Sequence, residues 1–469
     1  MDGLRRGVVV LALVCAAVAL ANGYALNAAD EEDAARDGDY VTTSYTHYED
    51  LRRLFDSLAQ RYPHLARVFS IGKSVEGRDL LVLEISENVG RRSLGEPMVK
   101  LVANMHGDEV VGRQLLIILG QYLLDRYGKD DRVTRLVKQT DIYLMPSMNP
   151  DGFENSEEGK CESKDDFSGR ENANHVDLNR DFPDQFDRRL SQLRKGISIL
   201  NGRQNETVAM MTWIANEPFV LSGNLHGGAV VASYPYDSGI LKTCCIESKS
   251  PDDNLFKYLA HVYADNHPQM RRGDACPPEI FRSGVTNGAY WYEVIGGMQD
   301  YNYARSNAFD ITFELSCCKY PPGSTIPEQW QLNKESLIKY LEQVHIGIKG
   351  FVRGKDGKPI QRANVVVEGI DHNVTTTSNG EYWRLLLPGT YSVYATAWGY
   401  EPSKPVNVTV LEGTPMILNF TLNNKEVFYE QGKNDINYPQ MVPISLFNRL
   451  PFYELIDEYD DQDYSYSNI

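Results

Sequence analysis

The sequence predicts an α/β domain, an open sheet flanked by helices, followed by a small all-β sandwich. Three observations carry this. Apolar strand-like runs, chiefly from Met98 and over Phe219 to Leu225, end in polar residues and lead into turns or helices, as strands of an open α/β sheet do. A helical pattern over Trp330 to Val344 closes that region. From His345 to about Leu422 the texture changes to short alternating strands divided by Asp356-Gly357, Asn379-Gly380 and Pro388-Gly389. At 469 residues the chain has room for about two to three domains.

In chain order, Arg5 and Arg6 precede the apolar run Val8 to Leu20 and the small residues Ala21-Asn22-Gly23, so residues 1–23 read as an export signal. That run is too short to span a bilayer. Residues 24–40 are polar, acidic and loose. Tyr48, Leu51, Leu54, Phe55 and Leu58 then recur at helical spacing, and the helix ends near Pro63. Strand-like runs follow at Ala66 to Ile71 and Leu80 to Ile85. Met98 to Leu124 reads as a strand passing through His106-Gly107-Asp108-Glu109 into a helix, and Asp141 to Met145 as a strand closing on the turn Asn149-Pro150-Asp151-Gly152. Phe153 to Asp184 lacks periodicity and reads as a long loop, of the kind that is either functional or disordered. Strands are expected over Phe219 to Leu225, Val230 to Tyr236 and Asp310 to Leu315. In the last of these, alternation sets Ile311, Phe313 and Leu315 on one face and Glu314 on the other. The expected organisation is the α/β domain over 41–344, a β sandwich over 345–425 and an acidic, tyrosine-rich tail over 426–469.

The formal charge of −17 argues against nucleic acid or anionic lipid as a partner and favours a cationic one. Signal removal leaves Cys161, Cys244, Cys245, Cys276, Cys317 and Cys318, an even set suited to disulfides in an oxidising compartment, with all pairings open. Sequons at Asn205, Asn373, Asn407 and Asn419 fit the same route. Tyr459, Tyr464 and Tyr466 lie among acidic residues, a setting that suits sulfation as well as a plain solubilising tail. With no long apolar run and no hydrophobic tail, the mature protein is expected to be soluble, secreted or held in the secretory lumen, without a transmembrane or lipid anchor.

The chemistry gathers at strand ends. His106 and Glu109, three residues apart where a strand turns toward a helix, suit one metal ion of borderline softness such as zinc. His226 closes another strand; alone it reads as a core or turn histidine, but with the first pair it completes two His and one Glu and leaves a fourth position open, as catalytic zinc sites do. Glu314 is a carboxylate in an apolar strand, costly to bury unless paired or working, and is the candidate general base. Arg170 and Arg180 in the long loop read alone as solvated charges; beside zinc they suit an oxyanion and a substrate carboxylate. Asp237, before Ser238-Gly239, reads by itself as turn chemistry.

At this point the chain resembles the zinc metallocarboxypeptidases of the regulatory branch, with carboxypeptidases D, E, M and N, and most of all a single carboxypeptidase D repeat. The likeness rests on His106-Gly-Asp-Glu109, Gly169-Arg170 through Asp177-Leu-Asn-Arg-Asp-Phe-Pro183, Asn224-Leu-His226-Gly-Gly, Tyr234-Pro-Tyr-Asp237, Gly296-Gly-Met-Gln-Asp300 and Thr312-Phe-Glu-Leu315. It implies an open mixed sheet with flanking helices followed by a transthyretin-like sandwich. It also implies one zinc ion on His106, Glu109 and His226, with Glu314 activating the zinc-bound water and Arg170 holding the oxyanion. Asn179, Arg180 and Tyr292 would bind the substrate's terminal carboxylate, and Asp237 with Gln299 would select its last side chain. The implied activity is release of C-terminal Lys or Arg from peptides or proteins by a monomeric hydrolase. The alternatives are a catalytically silent peptide-binding protein on the same fold and a hydrolase of small acyl-amino acids.

Overall fold

The computed structural model describes residues 40–163, 169–186 and 199–425. The expected export signal and the tyrosines of the tail lie outside these.

Eight strands form one sheet: β1 (Ala66–Lys73), β2 (Asp79–Ile85), β3 (Met98–Ala103), β4 (Asp141–Met145), β5 (Phe219–His226), β6 (Val230–Tyr234), β7 (Val285–Asn287) and β8 (Phe309–Leu315). Their order across the sheet is β1-β2-β4-β3-β5-β8-β6-β7. β3, β4, β5 and β8 run parallel, β1 and β2 pair antiparallel to their neighbours, and β6 pairs antiparallel to β8 and parallel to β7, so the sheet is mixed.

Side-chain alternation sends each strand into two cores. Leu81, Leu83 and Ile85 of β2 join one, Leu80 and Val82 the other. The first is shared with helices α1 (Tyr48–Arg61), α2 (Val111–Arg126) and α3 (Asp131–Gln139). α2 is buried nearly all round, with the unbroken apolar run Leu115 to Leu119 at its centre. α3 starts where the Asp130 carboxylate accepts the backbone N–H groups of Arg132 and Val133 at 2.7 and 3.0 Å. A short α4 (Pro150–Asn155) interrupts what the sequence suggested was all loop; Asn149 caps it by accepting the Gly152 N–H at 2.9 Å. α5 (Asn205–Asn216) supplies Met210, Met211 and Trp213 to the opposite core. α6 (Asp253–Asn266), α7 (Gly288–Trp291), α8 (Met298–Arg305) and α9 (Ile326–Glu342) complete the domain. With both faces covered, all seven residues of β8 are buried, Glu314 included.

The sandwich follows. β9 (Ile348–Gly354), β10 (Asn364–Val367), β11 (Val374–Thr375), β12 (Glu381–Arg384), β13 (Gly389–Thr396), β14 (Val406–Val410), β15 (Met416–Ile417) and β16 (Phe420–Leu422) form two facing sheets, β11-β10-β13-β14 and β12-β9-β15, with β16 also pairing β9. Three disulfides are present: Cys161–Cys318, Cys276–Cys317 and the adjacent pair Cys244–Cys245. The asparagines of all four sequons are exposed. Among the described residues no helix is long and apolar enough to cross a membrane.

Candidate metal centre and pocket

Three neighbouring parallel strands deliver the central groups. β5 lies between β3 and β8, and the register sets His226 directly beside Glu314. His106 and Glu109 follow β3 in a loop built around Asn104. Asn104 adopts a left-handed backbone (φ 56°), which asparagine tolerates better than most residues. Its amide Nδ2 donates to the carbonyls of His106, Gly107 and Glu109 at 3.0, 2.8 and 3.2 Å, and its Oδ1 accepts from Ser147. Gly107 passes so close to the chain at Gly152 that a Cβ there would sit 2.2 Å from a carbonyl carbon. No other residue fits.

Glu109 Oε2 lies 2.9 Å from both His106 Nδ1 and His226 Nδ1, and the two nitrogens are 3.2 Å apart. One metal ion with tetrahedral ligands at about 2.0–2.1 Å requires donors roughly 3.3 Å from one another, so the trio is spaced for zinc. The His226 Nε2 is buried without a partner among the described residues. His106 presents its other nitrogen, Nε2, to Asp177 Oδ1 at 3.0 Å, the carboxylate support that fixes the tautomer and orientation of a metal-binding imidazole. Burial lowers the His226 pKa and so favours the neutral, ligating form.

Around the trio, Arg170 donates to Glu109 Oε1 at 3.1 Å and to Asp177 Oδ2 at 2.9 Å, and Lys319 donates to Glu109 Oε1 at 3.0 Å. Glu314 is 6% exposed and its Oε2 has no hydrogen bond among the described residues. Burial first, then the neighbouring Glu109 carboxylate, push its pKa well above the usual carboxylate range.

The trio, Arg170, Asn179, Asp237, Tyr292 and Glu314 line a single cavity of about 250 Å³. Burial, then the charges of Glu314 and Glu109, raise the Tyr292 phenol. Asp237 is buried; its Oδ1 accepts from Gln299 Nε2 at 2.7 Å, and Gln299 in turn accepts the Thr312 N–H at 2.7 Å. The backbone N–H groups of Asp237 and Ser238 donate to Asp300 at 2.9 and 3.1 Å. Burial and the nearby Asp300 hold Asp237 well above the carboxylate range, and burial pushes Asp300 up to about 7. Gln299 stands behind Asp237 rather than on the cavity lining; Asn149 is also off the lining, and its Nδ2 donates to the Arg170 carbonyl. Arg180 lies beside the cavity with Nη1 on the Asn179 carbonyl at 3.0 Å. A wider space of about 720 Å³ shares Arg170, Gly228, Glu279 and Lys319 with the first and is bordered by Cys161, Cys276 and Cys317.

Sequence reasoning did not single out Asn104, Asp177 or Lys319. The signal for Asp177 was present, since it opens the Asp177-Leu178-Asn179-Arg180 run; Lys319 follows two cysteines and carried none.

Residues 51–336 match the zinc carboxypeptidase family and residues 347–423 the carboxypeptidase regulatory-like domain. Carboxypeptidase D of Drosophila melanogaster is 54% identical over 369 residues, which are 78% of this chain and 26% of that protein, so the chain spans about a quarter of that relative's length. Carboxypeptidase M of Mus musculus is 46% identical over 362 residues, covering 76% of this chain and 79% of that one. Among solved structures, thrombin activatable fibrinolysis inhibitor shares the fold, with a TM-score of 0.51 and 19% identity over 65% of this chain and 76% of its own. The donor trio, the buried carboxylate beside it and the two matched domains agree, and the chain belongs to the zinc carboxypeptidase family, in the branch that includes carboxypeptidases D and M.

Proposed function

We propose that this chain is a zinc-dependent exopeptidase that removes C-terminal Lys or Arg from peptides or proteins. The observation that carries the reading is one cavity holding the donor trio, the buried Glu314 carboxylate and the buried Asp237 carboxylate.

Zinc, when bound by His106, Glu109 and His226, supplies a Lewis acid for the scissile carbonyl and lowers the pKa of water towards neutrality. Glu314 takes the proton from the attacking water and returns it to the leaving amine as the C–N bond breaks. Its raised pKa suits both halves of that exchange. Arg170, with its guanidinium at the trio, donates to the developing oxyanion. Asn179 and Arg180 hold the free terminal carboxylate, which is how an exopeptidase measures the chain end, and Tyr292 covers it. Asp237, kept in place by Gln299, pairs with the terminal ammonium or guanidinium. The wider neighbouring space suits the rest of a peptide, which a small acyl-amino acid does not need. The export signal, the sequons and the disulfides support a secreted or lumenal glycoprotein.

The test compares one peptide ending in Arg, in Arg amide and in Phe, with and without a chelator, using wild type and Glu314→Gln. Chelator-sensitive release of Arg alone, absent from the amide and from the variant, is the expected result. Release of Phe would remove the Asp237 assignment. A zinc-loaded, folded protein that releases nothing would be a peptide-binding protein instead.

A further inference from the structure

The specificity pocket is held from behind by a helix that the β sandwich clamps. α8 is only eight residues long, yet its first three residues reach the pocket: the Met298 N–H donates to Asn179 Oδ1 at 3.0 Å, Gln299 holds the Asp237 carboxylate, and Asp300 holds its backbone. One turn further on, the Tyr303 hydroxyl donates to Asp252 Oδ2 at 2.8 Å. Asp252 is tied in turn to the sandwich, for Arg384 of β12 donates to both of its oxygens at 2.7 and 3.0 Å. Arg384 is fully buried, and its guanidinium lies 5.3 Å from the Phe309 ring at the start of β8. A second sandwich residue, His372, stacks on the Tyr303 ring at 3.9 Å, while Tyr236, next to Asp237, packs against that ring at 5.8 Å.

We infer that the β sandwich is a working part of the specificity pocket: Arg384 and His372, acting through Asp252 and Tyr303, are positioning residues that set where α8 holds Asp237 and Asn179. This rests on the assignment of Asp237 to the terminal basic side chain. The physical requirement is that a fully buried guanidinium keep its carboxylate partner, which leaves Asp252 one place to stand and Tyr303 one oxygen to meet. A short helix has little rigidity of its own, so its register depends on these contacts.

Tyr303→Phe removes the hydroxyl and keeps the ring stack; Arg384→Lys keeps the charge and loses the two-oxygen contact. Each is compared with wild type and Asp237→Asn on peptides ending in Arg and in citrulline, the uncharged isostere, at equal zinc content. The expected result for Tyr303→Phe and Arg384→Lys is an Arg to citrulline ratio of kcat/KM lowered about tenfold, carried by KM, with kcat within about threefold of wild type. A folded Tyr303→Phe or Arg384→Lys with a lower Tm and an unchanged ratio would show a merely structural link and overturn the inference. If wild type shows no preference for Arg, the Asp237 assignment fails and takes this inference with it. If Asp237→Asn abolishes the preference while the other two leave it intact, the inference fails alone.

Discussion

Replacing Asp237 by Asn is the most searching single change, because it alters charge and almost nothing else. The substituted side chain retains an oxygen for Gln299 Nε2, which now stands 2.7 Å from Asp237 Oδ1, so the hydrogen bond behind the pocket survives. What changes is the second atom, which becomes an amide N–H donor where a guanidinium or ammonium needs an acceptor. The site is buried, and the backbone at Gly288 runs so close to it that a Cβ there would sit 1.9 Å from Asp237 Oδ1. Losing one partner of a buried, hydrogen-bonded charge pair costs about 2–5 kcal/mol. A central value of about 3 kcal/mol corresponds to roughly 150-fold in kcat/KM. The assay is steady-state release of Arg and of citrulline from otherwise identical peptides. Activity on Arg should fall by that factor while citrulline release changes by less than about threefold. A loss on Arg below about fivefold, or equal losses on both peptides, would refute the assignment of Asp237 to charge recognition.

Three further outcomes follow from the same geometry. Glu314→Gln, similar in size, should lower kcat by about 10³-fold with zinc content unchanged, measured by turnover beside metal analysis; a loss below about tenfold would remove the general-base role. His226→Ala removes one of three donors, so dialysis against a chelator should strip its zinc while wild type retains it. Zinc at about a thousand times its Kd should stabilise wild type by about 4 kcal/mol, read as a rise in Tm that the variant lacks. The preference for Arg over citrulline should grow as pH rises. Burial pushes Asp300, which accepts the Asp237 and Ser238 N–H groups, up to about 7, so raising the pH through about 7 removes its proton and adds negative charge behind the pocket, while burial and Asp300 hold Asp237 itself above the usual carboxylate range. A ratio that stays flat from about pH 5.5 to about pH 8 would contradict this.

Much of this was legible in the sequence because parallel strands end on one edge of the sheet. His106, His226 and Glu314 each follow an apolar run, and that run is what brings them together. The residues that tune them were not legible. Asp177 is 71 positions from His106, and nothing local says that its carboxylate meets that ring. Lys319 is 210 positions from Glu109. Glu314 was legible as a costly buried carboxylate, but what meets the rest of its strand was not: Asp310 accepts from Asn302, and the Thr312 N–H donates to Gln299, both on α8, which the sequence did not mark as a helix. α3, α5 and α6 were likewise unread. The pairing of the cysteines was open, since one bridge spans 157 residues and another 41.

That pairing has a consequence for making the protein. Cys317 and Cys318 are neighbours with different partners, Cys276 and Cys161. Exchanging those partners gives an isomer of identical mass, with every cysteine still oxidised and no free thiol to report it. Such an isomer would twist the chain just ahead of Lys319, whose ammonium rests on Glu109 and whose backbone N–H donates to the Cys161 carbonyl at 3.3 Å. A preparation can therefore be homogeneous by weight and mixed in function, and a peptide map of the bridged fragments, rather than an intact mass, is the proper measure of its quality.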